Sequence, residues 1–211
     1  MSAKAVSVVE ANALIEPVAN KIRALTGVAC YGQGDETLAN TVGQLLLQRG
    51  QTLSVAESCT GGGLGQLITA VSGSSAYFWG GIISYDNRVK EGLLGVDAGV
   101  LASEGAVSAP VAEAMARGVR DRLNTDWGLS ITGIAGPEGG SDAKPVGLVY
   151  IGLASADAVM SEELLFGSER TRDLIREVSA LSAMNLLRKQ ILAKGESEEA
   201  YPPHQWAVLC R

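Results

Sequence analysis

Apolar positions along the chain fall into alternating stretches of helical and strand-like spacing. Leu14, Val18, Ile22 and Leu25 share a helical stripe that stops at Gly27, with Pro17 placed near a first turn. After the turn Tyr31-Gly-Gln-Gly-Asp35, Asp35 is a cap for a helix from about Glu36 to Gln48, with Leu38, Val42, Leu45 and Leu46 facing inward. Thr52 to Ala56 reads as a short buried strand, Glu57 to Gly63 as a tight polar turn, and Leu64, Leu67, Ile68 and Val71 as the apolar face of a helix. A second strand covers Gly80 to Tyr85, and Asp86 then caps a helix through Leu94. Ser108-Ala-Pro-Val opens a helix running to about Leu123, and Leu129 to Gly133 is a third strand entering the loop Ile134 to Gly140. Val146 to Ala154 and Ala158 to Phe166 form a hairpin across Ser155 to Asp157, followed by a long helix from roughly Thr171 to Ala193.

Strands alternate with helices until two strands pair directly. That order predicts a three-layer αβα domain on a mixed, mostly parallel sheet with an antiparallel hairpin added. We divide the chain into an N-terminal segment, 1–34, a main domain, 35–195, and a polar, proline-containing tail, 196–211, expected to be poorly ordered.

Composition narrows the function. With 211 residues, 46% hydrophobic and 19% charged, the chain has ample material for one core, which excludes disordered and collagen-like classes. No apolar run reaches the roughly 18–20 residues that span a bilayer, and the N-terminus lacks a signal peptide's apolar stretch, so a soluble, cytoplasmic protein without a membrane partner is expected. Seventeen basic against twenty-three acidic residues give a net charge of -6, a poor footprint for nucleic acid, although a small anion needs only local donors. Cys30, Cys59 and Cys210 share no metal-like spacing and suggest neither a disulfide framework nor a metal site. The single histidine, His204, lies in the tail, so a catalytic base is sought among Lys, Tyr, Asp and Glu.

Three loops carry candidate chemistry. In Glu57-Ser-Cys-Thr-Gly-Gly-Gly63, a hydroxyl between a strand and a helix start sits where free amides favour an oxyanion or phosphate, making Ser58 a candidate nucleophile. The plainer reading is that Ser58 or Thr60 caps the helix and Cys59 is a small buried apolar residue. In Ser84-Tyr-Asp-Asn-Arg-Val-Lys90, Tyr85 and Lys90 are one position too far apart for a reductase pair and would stand about 140° apart on a continuous helix. They share a crevice only if Tyr85 ends the strand and Lys90 lies one turn into the helix; otherwise they are a rim aromatic and a solvated charge. The glycines of Thr132-Gly-Ile-Ala-Gly136 leave backbone room for a ligand, yet suit any loop. Arg172 and Arg176, close after Arg170, share a helix face that fits a phosphate or a surface ion-pair lattice. Neither the dinucleotide fingerprint nor a phosphate-binding G-x-x-x-x-G-K-[ST] is present.

The chain resembles the CinA C-terminal domain family, the nicotinamide-nucleotide amidases or NMN deamidases also called PncC proteins. The resemblance rests on Ala56-Glu-Ser-Cys-Thr-Gly-Gly62, Gly73-Ser-Ser75 with Phe78 and Gly80-Gly81, Tyr85 to Lys90 ahead of Leu94-Gly-Val96, Gly105-Ala-Val-Ser108, and Thr132-Gly-Ile-Ala-Gly-Pro137 with Lys144-Pro-Val-Gly147. These motifs cover about Asp35 to Ala193. The first thirty-odd residues look like the end of the middle domain of full-length CinA proteins, whose pyrophosphatase-like N-terminal domain is missing, so a short form without that activity is expected. The resemblance implies hydrolysis of the nicotinamide mononucleotide carboxamide to nicotinate mononucleotide and ammonia, as a step of pyridine-nucleotide salvage in NAD metabolism. It implies Ser58 as nucleophile with Lys90 and Tyr85 as partners and no metal or cofactor. Beside the resemblance, the residues themselves place oxyanion donors at the Thr60-Gly61-Gly62 helix start, and put the Thr132 to Gly136 loop, with Thr132, Gly133 and Gly136, together with Arg172 or Arg176 on ribose and phosphate. A homo-oligomer is expected. The alternative is a non-catalytic nucleotide-binding module of a competence- or damage-inducible protein.

Overall fold

The computed structural model describes residues 2–196; apart from Glu196, the tail expected to be poorly ordered, with its His204, lies outside the described residues. The chain divides between Glu36 and Thr37 into two compact units. The first is built on α1 (Val8–Thr26), which Ser7 caps by accepting the Glu10 N–H and which ends at Gly27 with φ +50°. Because α1 begins at Val8, Pro17 lies in its interior and not near a first turn, a position where proline forfeits one helical hydrogen bond. Leu14, Val18, Ile22 and Leu25 are all exposed.

The second unit begins with α2 (Leu38–Gln48). Its cap is Thr37 and not Asp35: the Thr37 hydroxyl accepts from the Asn40 N–H, and the Asn40 side chain accepts from the Thr37 N–H, a reciprocal pair that Asp35 stands too far upstream to make. Then follow β1 (Leu53–Glu57), α3 (Gly63–Thr69), β2 (Phe78–Ile83), α4 (Asn87–Leu94), α5 (Ala98–Glu104), α6 (Ala109–Leu123), β3 (Trp127–Gly133), β4 (Leu148–Ala154), β5 (Val159–Leu165) and α7 (Arg172–Glu196). The sequence pattern did not announce α5, whose seven residues carry little periodicity, although Asp97 caps it by accepting the Val100 N–H at 3.0 Å.

The sheet order is β2-β1-β3-β4-β5. β1 pairs in parallel with β2 and β3, whereas β3–β4 and β4–β5 are antiparallel, so only β4 runs against the rest. Side chains of β1, β3 and β4 alternate between two cores. Leu53, Val55, Leu129, Ile131, Val149 and Ile151 pack on one face with α2, α3 and α7 residues such as Leu46, Leu64 and Leu187. Ala56 meets Leu94, Leu101, Val111, Met115 and Val119 of α4, α5 and α6 on the other. This is the three-layer αβα arrangement the element order predicts.

β1 is the central member of the parallel trio, and the connection through α3 lies on one face while that through α4, α5 and α6 lies on the other. Open α/β sheets bind ligands beyond the carboxyl ends of strands where the strand order reverses in this way. Three loops leave that edge together: 58–62 after β1, 84–86 after β2 and 134–147 after β3.

Candidate active site

Ser58 is the first residue beyond β1. Its N–H donates to the Ile131 carbonyl at 3.0 Å, which extends the β1–β3 ladder by one rung and fixes the side chain at the sheet's edge. Lys90 lies one turn into α4, whose first turn Asp86 caps by accepting the Arg88 N–H at 2.9 Å. That placement carries the lysine amine back over the strand ends. Lys90 is only 1% exposed, and its Nζ stands 3.3 Å from Ser58 Oγ, 2.7 Å from the Ser84 carbonyl and 3.4 Å from the Tyr85 carbonyl.

Two carbonyls and one hydroxyl surround an amine that, among the described residues, has no carboxylate in direct contact. Burial therefore dominates and pushes the Lys90 pKa below its ordinary value, since the charged form loses hydration; the nearby Asp86 charge pulls the other way. Asp86 itself is held down at about 2 by its hydrogen bonds from Arg88, first the side chain and then the backbone N–H. Cys59, next to Ser58, is buried in the α3-side core, and burial pushes its thiol up to about 11.

The remaining predicted site residues divide. Tyr85, 62% exposed, reaches Lys90 through its backbone carbonyl, and its phenol oxygen accepts a hydrogen bond from Arg172 Nη2 at 3.2 Å. Arg172 also donates to the Gly136 carbonyl at 2.8 Å, so it ties the β2–α4 and β3–β4 loops together at the start of α7. Arg176 Nη2 donates to the Thr60 carbonyl at 2.8 Å, and Gly61 lies against the same guanidinium. Both arginines thus converge on the loops around Ser58. Thr132 differs from the expectation: its buried hydroxyl donates to the Ala106 carbonyl at 2.8 Å, toward the α6 side, while Gly133 ends β3 opposite Val149 and the Gly136 carbonyl is taken by Arg172.

The oxyanion donors expected at the Thr60-Gly61-Gly62 helix start also need correction. Gly61 N–H donates to the Ser58 carbonyl and Gly62 N–H to the Glu57 carboxylate, both within the turn. Sequence reasoning missed Glu57 altogether. It is 2% exposed, and its carboxylate accepts the amides of Gly62, Leu64 and Gly65 at 3.0, 3.1 and 2.8 Å. The signal was an acidic residue ending a buried strand, just before a glycine-rich turn and helix start. By contrast, the Thr60 hydroxyl is buried without a hydrogen-bond partner among the described residues.

Among the described residues, no group of His, Cys, Asp and Glu could hold a metal ion, and no helix is long and apolar enough to cross a membrane. The arrangement offers acyl-transfer chemistry, with a hydroxyl and an adjacent amine of depressed basicity beyond the strand ends.

The chain is similar to proteins that share these elements. A family model described as the CinA C-terminal domain matches residues 35–191. CinA-like proteins of Cyanothece sp. and Synechococcus elongatus are 58% and 57% identical over 92% and 91% of this chain, which spans only 47% and 46% of their lengths. The crystal structure of the competence/damage inducible protein CihA from Agrobacterium tumefaciens superposes with a TM-score of 0.71 at 36% identity, over 74% of this chain and 93% of that one. A CinA superfamily protein from Klebsiella pneumoniae superposes with a TM-score of 0.72 at 28% identity, over 76% and 99% respectively. Since the matched span takes in Ser58, Lys90 and every loop around them, this chain belongs to the CinA C-terminal domain family.

Proposed function

We propose that the protein hydrolyses the carboxamide of nicotinamide mononucleotide, giving nicotinate mononucleotide and ammonia. The observation that carries the reading is the buried Lys90 amine 3.3 Å from Ser58 Oγ, with its basicity lowered by burial. Neutral Lys90 takes the Ser58 proton as Oγ attacks the carboxamide carbon, and the developing oxyanion is met by the Thr60 hydroxyl, which has no other hydrogen-bond partner among the described residues. The tetrahedral adduct collapses with cleavage of the C–N bond, and the ammonium of Lys90 protonates the departing amine. Water, deprotonated by Lys90, then attacks the acyl-serine and releases the carboxylate, returning Ser58 to its hydroxyl form. Arg172 and Arg176, with the Gly133 and Gly136 backbone, supply the cationic and amide side of the crevice for ribose and phosphate. Tyr85 serves this site through its carbonyl on Lys90 and its phenol on Arg172.

The test is ammonia release from nicotinamide mononucleotide by the purified protein and by Ser58→Ala. The substitution removes one oxygen from a turn and should leave folding intact while turnover falls to below about 1% of wild type. Retained turnover in the folded variant would remove Ser58 from the nucleophile's role. Tight nucleotide binding without ammonia release by the wild-type protein would favour the non-catalytic module.

A further inference from the structure

We infer that Glu57 is a positioning residue that aims Ser58, a role that rests on Ser58 being the nucleophile. A buried acid at the end of a strand is costly unless its oxygens are hydrogen-bonded. Here one oxygen takes the Gly62 and Leu64 amides and the other takes the Gly65 amide, so the strand residue before Ser58 is fastened across the turn to the first residues of α3. Both ends of the 58–61 turn are therefore fixed by one side chain.

The Glu57 main chain reaches the other half of the pair. Its carbonyl accepts the Ser84 N–H at 2.7 Å, and the Ser84 carbonyl in turn accepts Lys90 Nζ at 2.7 Å. Hydroxyl and amine are thus registered from the same residue, the hydroxyl through the Glu57 side chain and the amine through its backbone. Among the described residues the Glu57 carboxylate bonds to turn and helix amides alone, so changing the side chain disturbs the hydroxyl's placement and leaves the Ser84 relay to Lys90 in place. The substitution Glu57→Gln keeps the size but turns an NH2 group toward at least one amide donor, leaving that donor without an acceptor in a buried site.

The experiment measures how fast a small fluorophosphonate labels Ser58, with peptide mass mapping to locate the adduct, in wild type, Glu57→Gln and Glu57→Asp. In labelling, the Oγ–P bond forms, fluoride leaves as the P–F bond breaks, and Lys90 takes the hydroxyl proton; no nucleotide is involved. Glu57→Gln should label about tenfold or more slowly than wild type well below its melting temperature, with the pH midpoint of labelling unchanged because Lys90 is untouched. Glu57→Asp, with its carboxylate one methylene shorter, should fall between the two. A Glu57→Gln protein that melts earlier yet labels within about twofold of wild type would make the residue merely structural and overturn the inference. If Glu57→Gln does not fold, Glu57→Asp decides by the same criterion. Failure of wild-type Ser58 to label overturns both this role and the nucleophile assignment. Glu57-dependent labelling without ammonia release from nicotinamide mononucleotide supports the role and refutes only the substrate.

Discussion

A buried amine next to a hydroxyl works as a base only in the pH range where it has lost its proton, so under the proposed mechanism the titration of Lys90 sets the acid limb of activity. Burial lowers its pKa, and the Asp86 charge opposes that shift. Asp86→Asn keeps a good helix cap but removes the charge, so the acid limb of ammonia release should move to lower pH, and by less in high salt. An unmoved limb at low salt would show that Asp86 does not act on Lys90. Lys90→Arg retains a permanent charge and should lose turnover about as completely as Ser58→Ala, which ammonia assays at several pH values will check. The same shift has a stability sign. Folded Lys90 gives up its proton before the unfolded chain does, so between its lowered pKa and the ordinary value of about 10.5 the unfolded state binds more protons and this residue's contribution to stability rises with pH. Cys59, with its thiol pushed up to about 11, is protonated at neutral pH, so Cys59→Ala should keep turnover within roughly tenfold and native alkylation should leave it largely intact. Loss of activity in Cys59→Ala with Ser58→Ala still active would transfer the chemistry to the thiol. Ser58 stood out in the sequence as a candidate because a hydroxyl there carries chemistry, whereas the residues alone left Lys90 open between a crevice group and a solvated helix charge, and its burial beside Ser58 shows only in the fold. Glu57 did not stand out, because only closure of the turn shows which amides its carboxylate takes.

Elements place these side chains through close approaches that glycine permits. Helix α6 lies against the sheet where Gly128 and Gly152 face it, for a Cβ at either would overlap the carbonyl of Ala116 or Ala112. Gly118, on α6, does the same toward α4: a Cβ there would overlap the Leu94 carbonyl, one turn along the helix that carries Lys90. Backbone cannot rotate away as a side chain can. Gly118→Ala should therefore lose about 1–3 kcal/mol despite alanine's better helix propensity, and should slow turnover by displacing Lys90. Gly92 of α4 is the control, because a Cβ there meets nothing within 4 Å, so Gly92→Ala should be neutral or stabilise by up to about 1 kcal/mol. Thermal melts of the two variants read the contrast, and equal effects would refute the close-packing account. Sequence pattern located most elements because periodicity records which face is buried. It gave glycines 118, 128 and 152 no role, because tight packing between elements distant in sequence leaves no local signature.

At the scale of the molecule, the site belongs to one unit. Ser58, Lys90, Glu57, Tyr85, Gly136, Arg172 and Arg176 all lie beyond Thr37, on loops and helix starts at one edge of a single sheet. Both cores that flank that sheet are likewise built from residues after Thr37. A domain with its own core and its own site needs no other segment to fold around it. Helix α1, by contrast, leaves Leu14, Val18, Ile22 and Leu25 exposed, and a unit of thirty-six residues is below the size at which a chain usually buries enough apolar surface to hold a fold alone. Removing residues 2–36 should therefore leave one cooperative unfolding transition and ammonia release within about threefold of the intact chain, since no group of the site is lost. Calorimetry and the ammonia assay on the shortened protein check both halves of the expectation. A broad, non-cooperative melt would show that the first unit completes the second, whereas a sharp melt with lost turnover would give α1 a part in the chemistry that the Ser58 cluster does not require.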